Sequence, residues 1–220
     1  MKKTFFVVFA IACAMFFASC GGGSTGGGKK LAKNDFLGDL PNLVYQKHLT
    51  DSIRNAEEKL EGNKLDPNKK GDWKKATEIA EKFKIRRKTE DESFKTDCEK
   101  LKPELIGKEI PFETEENTGY EVTYCKISDV EKGSVYVDFE VRITNTNAAK
   151  IIKYGKPQII VTVQNIKQDG NKLSSDGAYY VELSGRENGA TGRSKRIIAI
   201  SAEKAEEYVN FAKLRFVKTK

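Results

Sequence analysis

From Val135 to Ile143 the chain alternates with a strict period of two. Val135, Val137, Phe139, Val141 and Ile143 fall on one side, and Tyr136, Asp138, Glu140 and Arg142 on the other. β-Branched and aromatic residues at this period describe an antiparallel strand with one face buried and the other wet. Fully burying each of the five apolar side chains is worth about 1.5–3 kcal/mol, which places the strand in the middle of a sheet. Asn145-Thr146-Asn147 closes it.

The same period governs what surrounds it from Ile110 onward. Tyr120, Val122 and Tyr124 alternate with Glu121, Thr123 and Cys125. Gln158 to Ile166 is apolar on both faces, Asp169-Gly170-Asn171 is a turn of the hairpin kind, and Ala178 to Ser184 carries Tyr179, Val181 and Leu183 in phase. Gly185 to Gly192 is expected as a loop and Arg196 to Ser201 as a strand. Ala202 to Phe211 is expected as a helix capped by Ser201, and Lys213 to Lys218 as a last strand with Leu214 and Phe216 in phase. About seven short strands separated by turns predict a β-sandwich.

Before Ile110 the period is helical. Tyr45, Leu49, Ile53, Ala56 and Leu60 form one apolar stripe behind Pro41, and Gly62 supplies a stop. After a turn over Asn63–Gly71, a second helix opens near Asp72. Its stripe is Trp73, Ala76, Ala80 and Phe83, resumed by Phe94, Cys98 and Leu101 and ended by Pro103. Two helices and a short turn predict an αα-hairpin. The intervening Arg86/Glu90, Arg87/Asp91 and Lys88/Glu92 are i,i+4 pairs of a solvated helix face.

The N-terminus has the form of an export signal. Lys2 and Lys3 precede Thr4 to Ala18, an apolar run shorter than the roughly 20 residues a spanning helix needs. The run ends in Phe17-Ala18-Ser19-Cys20, which resembles the lipobox of bacterial lipoproteins, with Phe17 standing where that pattern favours Leu. The resemblance implies cleavage before Cys20, acylation of its sulfur and attachment to a membrane. Ordinary secretory cleavage and an uncleaved anchor are the two other readings of the segment. Gly21 to Gly28 follows, a run with nothing to bury, so Gly21 to Leu40 is expected as a flexible tether reaching roughly 25 Å. A phosphate-cradling glycine loop would need a preceding strand and a following helix.

Val135 to Asn147, a long alternating strand ending in Thr-Asn-Thr-Asn, resembles the middle strand of immunoglobulin-like domains found in many bacterial envelope lipoproteins. That likeness covers about Ile110 to Lys218 and lacks a Cys…Trp…Cys framework, since the only tryptophan is Trp73. It implies an α+β chain in which a helical hairpin precedes an antiparallel immunoglobulin-like β-sandwich. The expected divisions are a signal peptide over 1–19, the lipidated cysteine and tether over 20–40, the hairpin over 41–105 and the sandwich over 106–220.

Charge and side-chain chemistry narrow the function. The formal charge of +7 falls to +5 without Lys2 and Lys3, and residues 42–110 and 111–220 each carry 17 basic and 15 acidic residues. A nucleic-acid binder concentrates basic charge on one face or stripe, so no nucleic-acid partner is expected. Cys98 and Cys125 admit either a disulfide, whose loop of about 27 residues would contribute roughly 3.5 kcal/mol, or two buried thiols. His48 is the only histidine, too few for a zinc site, and it lacks the nucleophile elbow of a triad. Asp169-Gly170-Asn171-Lys172-Leu173-Ser174 starts like a calcium loop but fails at its fifth and sixth positions. No metal or cofactor is expected. Glu115-Glu116 and Asp129/Glu131 are carboxylate pairs of the type glycosidases use, and Tyr136, Tyr154 and Tyr180 are candidate ligand-binding aromatics.

These readings together imply a non-catalytic binding or scaffolding protein of the cell envelope, held to a membrane through Cys20. In sorting rules known from other lipoproteins, the absence of Asp at Gly21 and of an acidic run after the cysteine implies the outer membrane, facing the periplasm. The partner is an envelope protein or a glycan. A glycan-binding module, a carboxylate-dependent hydrolase and a hairpin that docks a partner by its apolar stripe are the alternatives.

Overall fold

A computed structural model describes residues 29–66, 68–153, 155–174 and 176–219, with Lys150–Lys153 as backbone alone. Cys20, the segment expected to direct export and the glycine run lie outside the described residues. Among the described residues, three helices and two mostly antiparallel sheets make an α+β fold. The described residues divide into two compact units, one holding Lys29, Lys30 and Tyr45–Ser93, the other Leu31–Val44 with Phe94–Thr219.

The first unit is built from the larger parts of α1 (Leu40–Gly62) and α2 (Asp72–Leu105). Pro41 sits in the first turn of α1, as its missing N–H allows. The apolar stripes, however, are not the buried faces. Ile53 is 48% exposed, Leu60 54% and Trp73 80%, and Ala56, Ala76 and Ala80 are exposed as well. Of the first α2 stripe only Phe83 is buried.

Charged side chains link the helices instead. Arg54, 4% exposed, pairs with Asp51 at 2.7 Å and with Glu90. Arg86 pairs with Glu90 at 2.8 Å and with Glu57. Lys47 takes Asp51 and Asp91 at 2.6 and 2.8 Å, Lys82 takes Glu61 at 2.7 Å, and Arg87 takes Glu58 at 3.5 Å. Of the expected i,i+4 pairs Arg86/Glu90 and Lys88/Glu92 form, while Arg87 and Asp91 each reach across to α1. Lys47, Asp51, Arg54, Glu58 and Glu61 recur at spacings 4, 3, 4 and 3, a helical stripe as regular as the apolar one. A pattern search by hydrophobicity passes over it because its burial rests on mutual neutralisation. Burial works to raise the Asp51 carboxyl, but Lys47 and Arg54 outweigh it and hold the group below the usual carboxylate range.

α2 does not end at Pro103. It runs on to Leu105, which is fully buried, and Ile106 N–H closes the last turn on Lys102 O at 2.9 Å.

The second unit holds the sheets. Their strands are β1 (Phe112–Thr114), β2 (Tyr120–Glu131), β3 (Ser134–Ile143), β4 (Lys150–Lys153), β5 (Lys156–Lys167), β6 (Gly177–Glu182), β7 (Thr191–Ala199) and β8 (Phe211–Val217). β3 is the centre of a three-stranded sheet, with β2 and β7 antiparallel on its two sides. Its buried face is the alternating set Val135 to Ile143.

β5 organises the five-stranded sheet. Gln158 pairs with Lys150 and Glu182, and Thr162 with Ala178 and Val217. β4 and β8 therefore follow one another along one edge of β5, and β6 takes the other. β1 lies parallel to β8, where only antiparallel strands were expected.

The two sheets meet at Phe139, whose ring lies 5.3 Å from that of Phe216 and 6.1 Å from that of Tyr179. This layering is compatible with a β-sandwich. A polar cluster shares the interior. Arg196, 3% exposed, donates from Nε and Nη2 to Asn165 Oδ1 at 3.1 and 2.7 Å, and from Nη1 to the Tyr179 hydroxyl at 3.0 Å. Asn165 Nδ2 in turn donates to the Tyr208 hydroxyl and to Ser174 Oγ.

Other expectations shift. Residues 31–40, expected as part of a tether, are folded against the protein instead. Leu31, Leu37 and Leu40 are buried, and Asn34 Nδ2 donates to the carbonyls of Val209 and Phe211. Ala202 to Phe211 is a 3-10 turn (Ala202–Lys204) and a short α3 (Ala205–Tyr208), and Ser201 makes no side-chain cap. The loop expected up to Gly192 gives its last two residues to β7. Lys132 and Gly133 join β2 to β3 with φ of 47° and 80°, the two-residue turn whose twist suits a hairpin. A Cβ on Gly133 would lie 2.8 Å from Val44 Cγ2, so glycine is required there by space as well as by conformation.

Candidate functional site

The outer face of the three-stranded sheet is where polar and aromatic groups converge. Register sets three rows across β2, β3 and β7: Tyr124, Glu140 and Arg193; then Lys126, Asp138 and Lys195; then Asp129, Tyr136 and Ile197. A depression of about 490 Å³ opens here, lined among others by Ile106, Tyr124, Lys126, Ser128, Asp138 and Arg193. A second, of about 360 Å³, shares Glu109 and Tyr124 with it.

Two irregularities in β2 create this face. The register shifts between Val122 and Tyr124 and again between Ile127 and Asp129. Each shift reverses which side the following residues take. Tyr120 and Val122 point into the core, but Tyr124 is turned outward and Cys125 inward. Simple alternation from Tyr120 puts Tyr124 in the core, so the sequence conceals its role. The shift itself leaves no mark in the alternation.

The polar groups are fixed by one another. Glu140 accepts from Arg193 Nε at 2.8 Å and from Thr123 Oγ1 at 2.9 Å, and these two donors hold its carboxyl below the usual range. Asp138 accepts from Ser128 Oγ at 2.8 Å and faces Lys195 at 3.5 Å. The Arg193 guanidinium lies 5.7 Å from the Tyr124 ring and the Lys195 ammonium 5.8 Å from the Tyr136 ring, within cation–π reach. The face thus offers two amphipathic rings, ionised acceptors and paired cations, a set suited to holding a polar ligand. A general acid needs a carboxyl pushed upward, and Glu140 is held the other way.

The residues singled out in the sequence are dispersed. Tyr136 lies half-buried on this face. Tyr180 is 62% exposed on β6, in the other sheet, and Tyr154 lies outside the described residues. Cys98 and Cys125 are both buried free thiols, so the structure contains no bond between them. Burial pushes the Cys125 thiol up to about 12, where it behaves as a small hydrophobe. His48 is exposed on α1.

The carboxylate pairs do not converge. Asp129 is held below its usual range by Lys102 at 3.0 Å and by the Val130 N–H, Glu131 faces Lys132 at 3.6 Å, and Glu115 accepts from the Lys218 N–H. Asp169 accepts from the Asn171 N–H as an Asx turn. Among the described residues no group of three or more His, Cys, Asp or Glu could hold a metal ion. No protein-family model, curated protein or solved structure matches the chain.

Proposed function

We propose that the chain is a membrane-anchored lipoprotein of the bacterial cell envelope, acylated at Cys20, with a non-catalytic binding or scaffolding role. The observation that carries this reading is Ala18-Ser19-Cys20 at the end of a short apolar run behind two lysines. Attachment by acyl chains suits a body in which, among the described residues, no helix is long and apolar enough to cross a membrane. Gly21, standing where Asp would imply inner-membrane retention, favours the outer membrane facing the periplasm.

The finer architecture belongs to the same proposal. We read α1 and α2 as an αα-hairpin, supported by ion pairs whose partners run in opposite order along the two helices. The facing sheets we read as an immunoglobulin-like β-sandwich, supported by Phe139 meeting Phe216 and Tyr179 across the layers. The binding surface in this reading is the Tyr124–Tyr136 face, and its ligand an envelope protein or a glycan.

Replacing Cys20 by Ser tests the anchor. The Cys20→Ser chain is expected to leave the membrane fraction on washing with high salt, while the unaltered chain stays. A variant that resists the same wash would mean that the first 19 residues are retained or that the body itself inserts, and the proposal would fail.

A further inference from the structure

We propose that the turn between α1 and α2 is a docking surface for a lipid bilayer carrying anionic headgroups. Trp73 is the chain's only tryptophan and stands almost free of the protein on the first turn of α2. Lys64, Lys69, Lys70 and Lys74 surround it in the chain, all exposed, and among the described residues none of them has an ion-pair partner. Lys75 is shared with Asp72 at 3.2 Å.

Charge is concentrated here. Asn63 to Lys75 carries five lysines and two aspartates, whereas the rest of 42–110 carries 12 basic and 13 acidic residues. Both aspartates are occupied within the turn. Asp72 is buried and accepts from the Asp66 N–H at 3.0 Å, and Asp66 accepts from the Asn68 N–H at 2.9 Å. A depression of about 420 Å³ lies beside the turn, with Leu65 and Ile79 in its wall and Lys64, Lys75 and Lys82 around it. Two glutamates also line it, Glu78 and Glu61, the latter paired with Lys82 at 2.7 Å.

An exposed indole flanked in the chain by exposed lysines fits a bilayer surface better than another polyanion. Indole partitions to the headgroup level, where its apolar body and its N–H are both satisfied. Lysine stems lie along such a surface while their ammonium groups stay in water. Each lysine gains from an anionic leaflet within a Debye length. A nucleic-acid site would call for a basic stripe that tracks a backbone, and the charge outside this turn is balanced.

The surface consists of residues of one unit and does not depend on acylation at Cys20. The test uses the full chain and the emission of Trp73, which reports this turn and no other part of the molecule. On phosphatidylcholine vesicles containing phosphatidylglycerol, the emission should shift to the blue and be quenched by brominated acyl chains. On phosphatidylcholine alone it should keep its water-exposed position.

The triple variant K69Q/K70Q/K74Q should raise the lipid concentration for half-maximal shift on the order of 100-fold at low salt, at about fivefold per lysine. These side chains are exposed, so its far-UV circular dichroism should be unchanged. Emission that ignores anionic vesicles, or that shifts equally on neutral ones, would overturn the proposal. A shift produced by soluble polyglutamate or RNA but not by vesicles would overturn it as well and assign the turn to a polymer.

Discussion

Phe139→Ala is expected to destabilise the sheet unit by about 3–5 kcal/mol. Phe139 is fully buried on the central strand, between Val137 and Val141 on the same face. Its ring is the point where the two sheets meet, packed against Phe216 and Tyr179. Truncation removes apolar surface from both layers at once. It also leaves a cavity that paired neighbours on each side cannot close, because β3 is held in register by β2 and β7. In a unit of this size the loss corresponds to a fall in Tm of roughly 10 °C. Urea unfolding should show a lower midpoint at an unchanged slope. A loss below about 1 kcal/mol would mean that the two sheets do not close on this ring.

The second large effect is expected at Asn165. Its Oδ1 is the shared acceptor for Nε and Nη2 of Arg196, a buried cation with, among the described residues, no carboxylate in hydrogen-bond reach. Burial pushes the Arg196 guanidinium down, while Tyr179 beside it acts in the other direction. Asn165→Ala leaves that charge desolvated and short of acceptors, and the Tyr208 hydroxyl loses a donor. The expected cost is roughly 3 kcal/mol. Arg196→Met should cost less, because the charge and its need for acceptors leave together. The double variant N165A/R196M should then be more stable than N165A alone. If the two single losses simply add, the cluster does not act as a unit and this account of the interior fails.

The legible parts of the fold are those where one physical term dominates. β3 could be read from Val135 to Ile143 because its inner face is apolar throughout and no irregularity interrupts it. β2 could not, because two register shifts exchange its faces at Tyr124 and Asp129, and a shift costs the sequence nothing visible. The helices were legible as helices, and their faces were not. Arg54, Glu57, Arg86 and Glu90 are partners only once both helices are in place, and each one taken singly signals solvent. Residues 31–40 read as an extension of the glycine run, yet Leu31 and Leu37 are buried and Asn34 ties the segment to Val209 and Phe211. That contact spans some 175 residues, beyond any local pattern. Of the candidate site, Tyr136 was foreseeable from its exposed phase on β3, whereas Tyr124 and Arg193 joined it only through register.

Mass spectrometry of the mature chain's first peptide tests acylation at Cys20 most directly. The expected peptide begins at Cys20 and carries acyl groups on that residue, with nothing recovered from 1–19. A peptide that runs through Ser19 into an unmodified Cys20 would contradict it.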